Sequence, residues 1–189
     1  MLKEIRSFLN SITGYLVIIV YLLINSVFLW LFSSNFNLLE GSYASVDSLF
    51  IISPWVFMFL IPAITMRMFA DEKKAGTMEL LLTKPLSDMS IIWSKFSAGF
   101  ILVLFSILPT MLYYFSIYKL GNPVGNIDSG GVFGSYIGLL LLGSSYVAIG
   151  VFSSSLTDNQ IISFLISLFL CFFFYIGFEE ISSLDIFKN

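Results

Sequence analysis

Between Arg67 and Pro85 the chain reads RMFADEKKAGTMELLLTKP, and Arg67, Asp71, Glu72, Lys73, Lys74 and Glu79 put six charges of both signs ahead of its last leucines. Interspersed charges of this kind make ion pairs across an interface, which fixes partner and register rather than breaking bonds. Catalysis would need other groups. The chain has no histidine, so the usual general base at neutral pH is missing along with the commonest metal ligand. Its one cysteine, Cys171, sits in an apolar run, whereas a reactive thiol needs an electropositive, partly exposed setting. No catalytic residue, metal ligand set or cofactor is expected. A G-x-x-x-x-G-K-[ST] phosphate loop is also missing, so any work driven by ATP must draw on another polypeptide.

The apolar part of the same segment supplies a second kind of contact. Gly76 permits a sharp turn. From Thr77 to Thr83 the spacing predicts two amphipathic helical turns, with Met78, Leu81 and Leu82 on one side and Glu79 and Thr83 on the other. Pro85 disfavours helix at Lys84 and closes the element. Such a ridge can enter a groove on a partner while flanking charges hold its edges. A loop that only set membrane topology would need lysines alone, and the MELLL run would then expose apolar side chains to no purpose. The candidate partner-binding set is therefore Arg67, Asp71, Glu72, Lys73, Lys74, Gly76, Thr77, Met78, Glu79, Leu80, Leu81, Leu82 and Pro85.

What positions this loop is hydrocarbon. The 189 residues are 58% hydrophobic and 11% charged, far from soluble composition, and the net charge of −3 gives no sign of nucleic-acid binding. Five uncharged runs, 15–32, 49–66, 96–118, 132–152 and 161–178, are each long enough to cross a bilayer as a helix. The expected fold is an all-α membrane protein, one domain over 1–189. It has an interfacial helix at 1–13, where Leu2, Ile5, Phe8 and Leu9 share a face, and a solvated extension of the first span is the alternative. Spans follow at about 15–34, 49–70, 94–118, 132–153 and 160–178, with an inner loop at 71–90. With the N-terminus in the cytoplasm, seven basic residues lie inside (Lys3, Arg6, Arg67, Lys73, Lys74, Lys84, Lys95) and two outside (Lys119, Lys188). Pro54, Pro62 and Pro109 fall within spans and tend to kink them. Gly130, Gly134 and Gly138 recur every fourth residue, which predicts close packing on another helix of the same subunit. In the small loop Ser153–Gln160, Thr157 and Asp158 are the expected caps of the fifth helix.

The basic residue ending the second span, the acidic-basic cluster, GTMELLLTKPLSD and Lys95 opening the third span together resemble the permease subunits of ABC-2 type transporters. NFNLLEGSYASVDSLF, PWVFMFLIPAITMRMFADEKKAGTMELLLTKPLSD, LPTMLYYFSIYKLGNPVGNIDSG and SSLTDNQIISF are similar to one branch, the gliding-motility-associated permeases of the GldF kind. The resemblance implies a bacterial inner-membrane protein with six spans and a cytoplasmic coupling helix, which maps to about Ala75–Thr83. It also implies a separate ATPase like GldA, and a companion membrane subunit like GldG or a second permease copy. Against that pattern the sixth span is expected to be missing and the chain to be a truncated product.

Other classes remain in view. A secondary transporter fragment would carry an ionisable residue at membrane depth. None of the five runs holds one, and Asn25 and Thr65, the nearest candidates, read as packing or backbone-bonded groups. An intramembrane enzyme would need a basic partner for a serine, a metal site or paired aspartates. A non-transporting scaffold of a motility or secretion complex would use the same docking loop and stays an alternative.

Overall fold

In water-free surroundings each backbone N–H and C=O needs a partner within its own segment, and long apolar runs meet that demand as helices. The computed structural model describes residues 12–32, 36–38, 44–78 and 87–183, and among these the regular structure is entirely helical. Helix α1, Ile12–Ser26, ends in a wider turn, Val27–Leu31, closed by Phe32 N–H donating to Val27 O at 3.1 Å. Helix α2, Asp47–Thr65, holds Pro54 and Pro62 inside it, and α3, Arg67–Lys74, follows after Met66 alone. Helix α4, Asp88–Ile107, passes through a tight turn at Leu108–Thr110, around Pro109, into α5, Met111–Leu120. Helices α6, Ser129–Leu156, and α7, Gln160–Ser183, complete the bundle. The segment expected as an interfacial helix, 1–11 above all, lies outside the described residues, as does most of the expected coupling helix, 79–83.

Five helical stretches are long and apolar enough to cross a membrane: Ile12–Leu31, Asp47–Lys74, Asp88–Leu120, Ser129–Leu156 and Gln160–Gly177. The second, of 28 residues, joins α2 to α3. At 1.5 Å per residue it measures about 42 Å, against a hydrocarbon core of about 30 Å. Its last eight residues, all of α3, can therefore stand clear of the hydrocarbon.

Helix α6 is the centre of the bundle and packs on α2, α3, α4 and α7. Its close approaches are made at glycine. A Cβ added at Gly143 would lie 2.7 Å from Val103 Cγ1, and one at Gly150 would lie 2.0 Å from Thr65 Oγ1 and 2.7 Å from Thr65 Cβ. Gly99 of α4 does the same against Val147, at 2.7 Å. The glycines singled out by spacing sit elsewhere: Gly130, Gly134 and Gly138 are exposed, and nothing among the described residues comes within 4 Å of a Cβ at Gly134 or Gly138. The expectation that they pack on a helix of the same subunit is corrected, because their face of α6 points away from its neighbours. The cap of α7 is corrected as well. Asn159 Oδ1 accepts from Ile161 N–H at 2.9 Å, while Thr157 Oγ1 accepts from Asn159 N–H at 3.1 Å and so braces the capping residue.

Between α1 and α2, Tyr21 stacks on Phe57 with ring centroids 4.5 Å apart, and its hydroxyl meets Ser53 Oγ at 2.8 Å. Asn25 donates to Tyr21 O at 2.9 Å and Thr65 to Ile61 O at 2.9 Å, so both are backbone-bonded inside the core.

Candidate functional site

Helix α3 is short and sharply two-sided. Met68, Phe69 and Ala70 are buried, while Arg67, Asp71 and Lys74 are exposed. Its stop is written in the sequence: Gly76 adopts φ +67°, Thr77 N–H donates to Glu72 O at 3.0 Å and Gly76 N–H to Lys73 O at 3.1 Å. That double closure needs a left-handed residue at the second position after the helix, which glycine takes without steric cost. Gly76 thus acts by ending α3, and among the described residues no neighbour lies within 4 Å of where its Cβ would be.

The junction of α2 and α3 is held from outside. In an unbroken helix the N–H groups of Phe69 and Ala70 face the carbonyls of Thr65 and Met66. Here Ser154 of α6 places its hydroxyl at the break, accepting from Phe69 N–H at 2.9 Å and Ala70 N–H at 3.1 Å, and donating to Met66 O at 3.0 Å. A side chain inserted into the ladder is one of the few causes of a sharp helix bend.

Charge fixes the same helix to α4. Lys95, only 2% exposed, donates to Met68 O at 2.5 Å and to Glu72 Oε1 at 2.7 Å, and its ammonium lies 4.8 Å from the centre of the Phe69 ring. Two further bonds reach other helices. Lys73 donates to Ser155 O of α6, and Gln160 Nε2 of α7 donates to Asp71 Oδ1. The eight residues of α3 are thereby tied to α4, α6 and α7, and the exposed residues from Lys74 to Thr77 lead away from that anchorage.

Beside α3 lies an apolar groove of about 660 Å³, lined among others by Phe69, Met78, Ile92, Trp93, Phe96 and Phe152. Its walls can take apolar matter. Among the described residues no group of His, Cys, Asp and Glu could hold a metal ion.

Of the residues singled out from sequence, Arg67, Asp71, Glu72, Lys73, Lys74, Gly76, Thr77 and Met78 fall together here. Glu79, Leu80, Leu81, Leu82 and Pro85 lie outside the described residues. Sequence reasoning missed Lys95, Ser154, Ser155 and Gln160, which come from three other helices. It read the third uncharged run as beginning at Phe96, with Lys95 at its edge, whereas α4 starts at Asp88, so Lys95 stands about two turns inside the helix. The available signal was a lone lysine between the short apolar stretch Ile91–Trp93 and the long uncharged run from Phe96.

A family model described as ABC-2 family transporter protein matches residues 3–184. The chain belongs to that family. No curated protein and no solved structure matches it. An ABC-2 chain is the permease component of an ABC transporter, a non-catalytic membrane subunit that works with an ABC ATPase. Five helices long enough to span fit a multi-pass membrane protein. At the charged end of this ABC-2 protein α3 is bonded to α4, α6 and α7.

Proposed function

We propose that this permease receives its ATPase at the charged end, with α3 and the segment up to Pro85 acting as the coupling element. The observation that carries this reading is the clamp. A push on residues 74–78 reaches α4 through Lys95 and Glu72, α6 through Ser154 and Lys73, and α7 through Gln160 and Asp71. A loop tied to its own span alone would bend instead of moving the bundle.

On this reading the charged end faces the cytoplasm of a bacterial cell and the protein resides in the inner membrane, as the seven-to-two distribution of basic residues supports. ATP-driven closure of the ATPases moves the coupling element, and the bundle tilts to export a substrate or drive a motility machine. The similarity to GldF-type permeases supports a role in gliding, with a GldA-like ATPase and a GldG-like companion or second permease copy as partners.

Replacing Leu81 and Leu82 with glutamate tests the coupling role. The expected result is normal membrane insertion with loss of ATPase co-purification, or with turnover no longer responsive to the permease. Wild-type recovery of the ATPase with normal turnover in the assembled complex would overturn it.

A further inference from the structure

The apolar groove beside α3 has a direction. Among the described residues its polar liners are Lys73, Asp88 and Ser155, in the last turn of α3, at the start of α4 and in the last turn of α6. From there its walls are apolar and run inward to Phe96 on α4 and Ala148 on α6. Phe96 lies about 12 Å along α4 from Asp88, and Ala148 about 10 Å along α6 from Ser155. A polar mouth thus opens at the charged end, and an apolar shaft follows two helices that are each long enough to span a bilayer.

The shaft faces lipid. Ile92, Trp93 and Phe152 line it and are themselves exposed, which puts the groove on the outer face of the bundle. Tryptophan at the end of a span favours the level where headgroups meet hydrocarbon. An occupant must therefore be an amphiphile, with its head at the mouth and a tail along the shaft. The volume of about 660 Å³ falls within the range of about 300–1,000 Å³ common to sites for small molecules.

The headgroup decides which amphiphile stays, because a tail gains little by leaving the bilayer for an equally apolar furrow. Among the described residues the mouth offers one cation and one anion, Lys73 and Asp88. The Lys73 ammonium has three N–H donors, one of which goes to Ser155 O, and the exposed Asp88 carboxylate only accepts. A purely anionic headgroup would meet Asp88 as a like charge. A quaternary ammonium would bring it no N–H to accept. A phosphate ester joined to a primary ammonium answers both side chains with charge-assisted bonds. We propose that the groove binds one phospholipid of the phosphatidylethanolamine class. Its phosphate accepts from Lys73, its ammonium donates to Asp88, and an acyl chain runs between α4 and α6 past Phe96 and Phe152.

The test uses the full-length chain in detergent, freed of its own lipid, and does not depend on an ATPase. Dioleoyl phosphatidylethanolamine or dioleoyl phosphatidylglycerol is added, and bound lipid is counted by native mass spectrometry. The expected result is one phosphatidylethanolamine held several-fold more strongly than phosphatidylglycerol with the same chains. Asp88→Asn should bring the two lipids level. Ala148→Phe, at an exposed position, narrows the shaft and should cut retention of phosphatidylethanolamine several-fold. Equal retention of the two lipids by the parent chain, or the parent's behaviour unchanged in either variant, would overturn the proposal. A second copy of the chain held in place of lipid, and lost with Ala148→Phe, would overturn it too by giving the groove another occupant.

Discussion

A lysine buried to 2% is tolerable only when its charge is answered, and Lys95 is answered twice, by Met68 O and by Glu72. Removing one member of a fully buried ion pair costs about 3–5 kcal/mol, while an exposed pair contributes under about 1 kcal/mol. Glu72 keeps 26% of its side-chain exposure, which places this pair between those limits. Lys95→Met should therefore lower stability by about 1–3 kcal/mol, read as a drop in melting temperature in detergent. Adding Glu72→Leu to that variant should recover part of the loss, because the stranded carboxylate goes with it. A single variant as stable as the parent would mean the pair does not hold α3. In the sequence Lys95 looks like a topology marker, since the apolar run begins one residue later. Only the start of α4 at Asp88 moves it into the bundle, and helix boundaries are the part of a sequence reading that local pattern settles least.

Between elements, the decisive contacts are those where backbones come within touching distance. At Gly150 an added methyl would meet Thr65 Cβ at 2.7 Å, a branched and backbone-bonded side chain with little room to retreat. Gly150→Ala should force α2 and α6 apart and cost about 1–3 kcal/mol, as overpacking does in other cores. Gly134→Ala, with open space around it among the described residues, should leave the melting temperature of the isolated subunit unchanged. Equal effects of the two substitutions would contradict the packing described. A four-residue glycine repeat announces a smooth helix face without saying whether that face turns inward, so Gly134 and Gly138 were legible as glycines and not as exposed. The long helices were legible because lipid leaves apolar runs few alternatives. The break at Met66 was not, since its cause is Ser154, 88 residues away.

As a whole the described residues form a bundle with the polar bonds of α3 gathered at one end. Among the described residues the ion pair joins Lys95 to Glu72, and the bonds of Lys73, Asp71 and Ser154 converge on the same helix. On the proposed reading the ATPase pushes on one stiff place, α3 with its clamp. The direct measurement is affinity capture of the tagged full-length protein from its native membranes, with a photo-crosslinker placed at Lys74 or Thr77 and the adducts identified by mass spectrometry. An ABC ATPase subunit joined at those positions is the expected result. Capture of the ATPase with crosslinks only to the opposite end, or no ATPase at all, would contradict the account.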